Sequence, residues 1–239
     1  MTVDIFIPCF IDQIYPNTGM NMVKILEKCG VKVNYNDNQT CCGQMAFNSG
    51  FWDEAKELGE KFIKDFPNDR PVVAPSASCV GYVRNYYGKL FFNTGLHLEY
   101  KRLQKNIFEF TDFLVNQLKV TDFGASFEHK VTYHDSCAAL REYGLKDEPR
   151  TLLKNVAGIQ LVEMKDNTVC CGFGGTFAVK HEAISAAMAE QKVLNAIDTE
   201  AEYIISTDSS CLMHQEGYIN KNNLPIKTIH IADVLASGW

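Results

Sequence analysis

Eight of the nine cysteines fall into two copies of one spacing. In the first copy, 31 residues lie between Cys9 and the doublet Cys41-Cys42-Gly43, and 36 between the doublet and Cys79. In the second, 32 residues lie between Cys137 and Cys170-Cys171-Gly172, and 39 between the doublet and Cys211. Four thiolates per copy match the ligand count of an iron–sulfur cluster or a structural zinc ion. Adjacent cysteines do not suit a zinc knuckle, whose paired ligands are separated by intervening residues. No C-x-x-C occurs, which excludes the zinc ribbon and the thioredoxin-type redox motif. Ligands drawn from widely separated loops suit a preorganised cluster pocket better than a module folded by zinc.

The other reactive side chains are weaker signals. His134 and Asp135 precede Cys137, where a hydrogen bond to thiolate or sulfide is the expected role. Cys211-x-x-His214 could contribute to a mixed zinc set, although a histidine one turn along a surface helix explains it as well. His181-Glu182 opens like a zinc-protease helix but meets Ser185 where the second histidine belongs. Residues Gly172 to Gly175 are glycine-rich yet match neither a P-loop nor a dinucleotide fingerprint. Cys29 lies outside both copies and reads as a core thiol beside the stop residue Gly30.

These residues need a scaffold, and the chain has the material for one. A hydrophobic content of 46% is ample for a core. The net charge of −6, without a Lys/Arg run, argues against nucleic acid as a partner. No run of 18 apolar residues offers a transmembrane span, and the opening MTVDIFIPCF reads as a strand rather than a leader. Nine cysteines without an export signal place the protein in a reducing cytoplasm, where thiols stay free for metal.

The periodicity predicts a strand ending at Cys9, a helix over 16–29, a strand VKVNYN, a helix over SGFWDEAKELGEKFIKDF and a buried strand PVVAPSASC. A long helical segment is expected over 96–119, with Phe108, Phe110, Phe113 and Leu114 inward. The second half repeats the plan with strands KVTYHDSC, LVEM and EYIISTDSSC, the last ending in a turn at Cys211. The expected fold is α/β: two pseudo-symmetric lobes from an internal duplication, residues 1–120 and 130–239, each a small, mostly parallel sheet with flanking helices. Residues 120–129 would form the hinge. Cysteines just past strand C-termini would occupy the usual site of an α/β fold, near helix N-termini that stabilise an anionic cluster.

The segments TCCGQMAFNSG, VVAPSASC, VTYHDSCAALRE, CCGFGGTFAVK and HIADVLA resemble the cysteine-rich CCG domain family, closest to the lactate utilization protein A group. The heterodisulfide reductase B subunit is a more distant relative. The resemblance implies an iron–sulfur electron-transfer subunit of a cytoplasmic oxidoreductase complex that oxidises L-lactate to pyruvate. Its partners would include a ferredoxin-like iron–sulfur subunit. It implies one or two 4Fe–4S clusters on Cys9, Cys41, Cys42, Cys79, Cys137, Cys170, Cys171 and Cys211, with Gly43, Gly172, Gly174 and His134 lining the cofactor. The second copy is favoured as the redox site, and zinc in one lobe is an alternative. A heterodisulfide-reductase-like catalytic subunit and a zinc-stabilised scaffold are the competing readings, and no residue stands out as catalytic. Where the family pattern ends in C-x-x-C, this chain has Ser76-x-x-Cys79 and Asp208-x-x-Cys211. That departure favours four-thiolate sites over the five-cysteine non-cubane assembly of the heterodisulfide reductases.

Overall fold

The computed structural model describes residues 1–239 and contains two four-stranded sheets. The first holds β1 (Thr2–Ile5), β2 (Lys32–Tyr35), β3 (Val72–Ala74) and β4 (Ile107–Glu109) in the order β2-β1-β3-β4. The second holds β5 (Lys130–Tyr133), β6 (Gln160–Leu161), β7 (Tyr203–Ser206) and β8 (Lys227–His230) in the order β6-β5-β7-β8. Every pairing is parallel. Parallel neighbours require crossover connections, and helices supply them.

This order fixes where chemistry can sit. From β1 the chain crosses to β2 on one side, then returns to β3 on the other, so a crevice opens beyond the ends of β1 and β3. Cys9 opens the helix Cys9–Ile14 after β1, and Cys79 lies in the first turn of the helix Ala77–Phe91 after β3. Cys137 and Cys211 follow β5 and β7 in the same way. Both cysteine pairs therefore stand at topological switch points.

Helix starts and stops follow local chemistry. Pro16 opens the helix Pro16–Lys28, whose inward face is Met22, Ile25 and Leu26, and Gly30 at φ +73° turns the chain out of it. Three expectations are corrected. The segment 96–119 is not one helix: Ile107–Glu109 leaves it to pair with β3, because Ile107 and Glu109 are wholly buried at the sheet's edge. LVEM is strand only at Leu161, since Glu163 swings out to Arg150 at 2.6 Å. β7 ends at Ser206, and Cys211 sits on the helix Ser209–Lys221 rather than in a turn.

The two sheets share one core. Val3, Ile5, Phe110 and Phe113 from the first half pack in the same cluster as Val131, Tyr133, Leu152 and Ile231 from the second. Cys29 packs at its margin. The helix Ile231–Leu235 crosses back to the first half, where Asp233 accepts hydrogen bonds from Thr18 at 2.7 Å and Asn21 at 2.9 Å. Residues 120–129 are packed rather than left as a free hinge. Phe123 and Ala125 are buried in the shared core, and the Phe127 N–H donates to the Ala157 carbonyl at 2.9 Å.

Candidate metal centre

All eight paired cysteines line one cavity of about 160 Å³ at the seam between the halves. Within it each set stays separate. In the first half Cys9, Cys41, Cys42 and Cys79 face one another, and their thiols shift one another's ionisation. Cys137, Cys170, Cys171 and Cys211 do so in the second, where Cys137 Sγ donates to Cys170 Sγ at 3.8 Å. The two sets, one from each lobe, thus meet in a single cavity.

The doublets are shaped by the glycine that follows. Gly43 has φ +90° and Gly172 φ +93°, a conformation that costs an L side chain about 1–2 kcal/mol. In that turn the Gly43 N–H donates to Cys41 Sγ and the Gly172 N–H to Cys170 Sγ, both at 3.4 Å. A β-carbon on Gly172 would lie 2.7 Å from the Ser185 carbonyl oxygen, so the doublet loop lies hard against the helix Glu182–Ile197. Gly174 lines the cavity, and a side chain on Gly175 would strike Met45 Sδ of the first half at 2.9 Å. The glycine run thus seats the second loop against the first half. Phe10 and Phe173 meet edge to face across the same seam, 5.6 Å apart.

Electrostatics within each set is uneven. Hydrogen bonds from Cys42 and Cys9, with the Gly43 N–H, hold the Cys41 thiol well below its ordinary range. Hydrogen bonds from Cys137 and Cys171, with the Gly172 N–H, do the same for Cys170. The neighbouring thiolates and burial push Cys9, Cys42, Cys137 and Cys171 up. One negative charge per set is favoured and four are not, unless a cation joins them. The donor set fits a thiophilic metal or an iron–sulfur group for that reason.

His134 is buried, and its ring nitrogens find no hydrogen-bond partner. It does not line the cavity; it stands behind the second set, with a ring nitrogen and the Cys171 and Cys211 sulfurs all within 4.8 Å of one another. Burial, reinforced by Lys192, holds it down to about 3, so it is a neutral imidazole. His214 is not grouped with the thiols: its Nε2 bonds to Ser185 Oγ at 3.1 Å.

Two residues flagged only as departures from a pattern turn out to meet. Asp208 is buried at the seam, where its carboxylate accepts from Ser76 Oγ at 3.3 Å, from the Ser78 N–H at 3.0 Å and from Ser136 Oγ. Sequence reasoning missed Ser136 and Ser78. Hydroxyl groups beside cysteines carry no signal until topology places them opposite a carboxylate.

The family model for the cysteine-rich CCG domain matches residues 3–84 and again 131–215. Lactate utilization protein A 2 of Bacillus cereus (strain 03BB102) is 39% identical over 239 residues, covering 100% of this chain and 99% of its own. Lactate utilization protein A of Geobacillus kaustophilus (strain HTA426) is 42% identical over 235 residues, covering 98% of each. Among solved structures, a hypothetical protein from Helicobacter pylori shares the fold with a TM-score of 0.65 at 12% identity. The similarity covers all of this chain and 49% of that longer one. With two matched copies and full-length relatives, the chain belongs to the cysteine-rich CCG domain family.

Proposed function

We propose that this protein is a cytoplasmic iron–sulfur electron-transfer subunit of a complex that oxidises L-lactate to pyruvate. In this reading each set of four cysteines holds a 4Fe–4S cluster. The observation that carries it is the convergence of two four-thiol sets at one seam, each with a glycine N–H aimed at sulfur. Such a group supplies one-electron storage when bound. The protein's own part is to orient the sulfurs, keep water from the inner ones and fix the halves. Cys42 and Cys171 are buried, the Gly43 and Gly172 amides stabilise negative charge on sulfur, and Asp208 ties the halves together.

Lactate as substrate of the complex, and a ferredoxin-like subunit as partner, follow from the names of the relatives and the family resemblance. No helix is long and apolar enough to cross a membrane. Anaerobic reconstitution of the full chain with iron and sulfide tests the reading. Iron and sulfide in cluster ratio, with visible absorption, are expected. Zinc in place of iron would replace the reading with that of a scaffold, for which the His134, Cys171 and Cys211 grouping supplies a donor set.

A further inference from the structure

The two thiol sets are backed by different walls. The Phe6 N–H donates to the Val73 carbonyl at 3.0 Å and the His134 N–H to the Ile205 carbonyl at 2.8 Å. Both residues thus hold the same place, just past the first strand of a sheet and three residues before a cysteine. A β-carbon on Gly43 would meet Leu58, and one on Gly172 would meet Met188. Four residues beyond those contacts, one helical turn on, stand Phe62 and Lys192. In the first half the two positions are an edge-to-face ring pair with centroids 4.7 Å apart. In the second they are a histidine and a lysine, both buried.

A buried lysine is costly, and an apolar replacement of similar volume is commonly neutral or stabilising. The first half already has the apolar version. The charge in the second half therefore needs an anionic neighbour. An ammonium has three donors. Lys192 gives one to the Asp166 carbonyl and borders a second cavity of about 350 Å³ that also reaches Cys170. Burial works against its charge; Cys171, Asp166, Asp135 and Cys170 support it. Of these, Asp135 is already held by Arg150 through contacts of 2.7 and 2.9 Å. In the first set Cys9, Cys41 and Cys42 respond to neighbouring thiols, to burial and to backbone N–H groups, and the position matching Lys192 is Phe62. Asp208 lies at the seam, bonded from both halves, so it does not single out either set.

We propose that Lys192, assisted by His134, is a positioning residue that makes a centre held by Cys137, Cys170, Cys171 and Cys211 the more readily reduced of the two. The proposal rests on the iron–sulfur reading above. Reduction adds one electron from an external low-potential donor, with no bond made or broken. In a poorly polarisable interior the fixed positive charge of Lys192 stabilises the added negative charge, and the neutral His134 ring, with a nitrogen within 4.8 Å of the Cys171 and Cys211 sulfurs, adds an N–H dipole. The two centres then differ in affinity for an electron although their ligands are alike.

The test is an anaerobic potentiometric titration of the full-length reconstituted protein, followed by EPR. Two reduction phases are expected, the higher one absent in Cys170→Ser. Lys192→Met should lower the higher midpoint by at least tenfold in the one-electron equilibrium, about 59 mV, and leave the lower phase in place. Lys192→Arg should restore it, and His134→Phe, which copies the first half, should lower it less. Iron and sulfide contents equal to wild type establish that each variant is loaded; if Lys192→Met loses iron, His134→Phe decides on the same terms. An unmoved higher midpoint in a fully loaded variant, or assignment of the higher phase to the first set, overturns the inference and leaves the iron–sulfur reading intact. A wild-type second set without iron overturns both.

Discussion

Around the sulfurs the two halves are alike; behind them they are not. Each doublet is followed by a glycine near φ +90°, and each glycine N–H lies 3.4 Å from the first sulfur of its doublet. Behind the doublets, Cys42 shares a cluster with Phe6, Phe62 and Phe66, whereas Cys171 backs onto His134 and lies in the field of Lys192. The difference separates two kinds of constraint. Groups that touch sulfur are fixed by bond directions and by the need for an N–H donor. Groups one layer back need only fill space, so they are free to differ in charge.

The strongest way to break the comparison is to remove one sulfur from each half in turn. Cys41→Ser should abolish iron binding at the first set and Cys170→Ser at the second. Each loss should leave the other set loaded, so iron per chain falls by about half, the ratio expected for independent four-thiolate ligation. Loss of all iron from either variant would mean that the shared cavity holds one joined group.

The next contrast is between two helix caps. Glu109, the last residue of β4, accepts from the Thr111 and Asp112 N–H groups, and His230, the last residue of β8, accepts from the Ala232 N–H at 3.1 Å. Both are buried. Burial pushes Glu109 up to about 8, so its contribution to stability is complete below about pH 4.5 and is lost as pH rises through 8. Burial moves His230 down, so its contribution is present above its ordinary value and is lost as the solution is acidified. Glu109→Gln should flatten the fall in stability between about pH 5 and pH 8, by an amount on the order of a few kcal/mol. Urea unfolding of apo-protein at several pH values reads it. A slope equal to that of wild type would show that Glu109 does not stay protonated in the folded protein.

The glycines sharpen the same comparison at smaller scale. A β-carbon on Gly172 meets Ser185 O at 2.7 Å and Met188 Cβ at 2.8 Å, while one on Gly43 meets Ala55 O at 3.1 Å and Leu58 Cβ at 3.3 Å. Both substitutions carry the left-handed penalty, but the backbone must move further in the second half than in the first. Gly172→Ala should therefore cost about 3 kcal/mol and Gly43→Ala about 1–2 kcal/mol. Equal losses in denaturant midpoints would show that the second loop yields as readily as the first.

Much of this arrangement is visible in the chain itself. The repeated spacing of Cys9, Cys41-Cys42 and Cys79 marks both the duplication and the four thiols of each set, and apolar runs such as VDIFIP mark buried parallel strands. Ile107–Glu109 escaped because a strand of three residues ending in a buried carboxylate has no readable period. The single cavity escaped too, since cysteine spacing reports each half alone. How the halves face one another depends on the shared core and on Asp233 reaching back to Thr18. Lys192 looks like a solvated helix residue in sequence; only the bend of the doublet loop places it behind sulfur.

The seam itself offers the smallest contrast, between two partners in one hydrogen-bonded cluster. Ser76 contributes a single neutral hydroxyl to Asp208 at 3.3 Å, and also accepts from the Cys79 N–H at 3.5 Å as the cap of its helix. Asp208 contributes the charge on which Ser76, Ser78 and Ser136 converge. Hydrogen bonds to a buried ion are worth about twice those between neutral groups, and an ion deprived of one donor keeps its others. Ser76→Ala should thus cost about 1 kcal/mol, and Asp208→Asn, which discharges the whole cluster, about 2 kcal/mol. Denaturant unfolding of the apo-protein measures both. If Asp208→Asn costs no more than Ser76→Ala, the carboxylate is not what draws the halves together, and the shared apolar core holds the two thiol sets in register on its own.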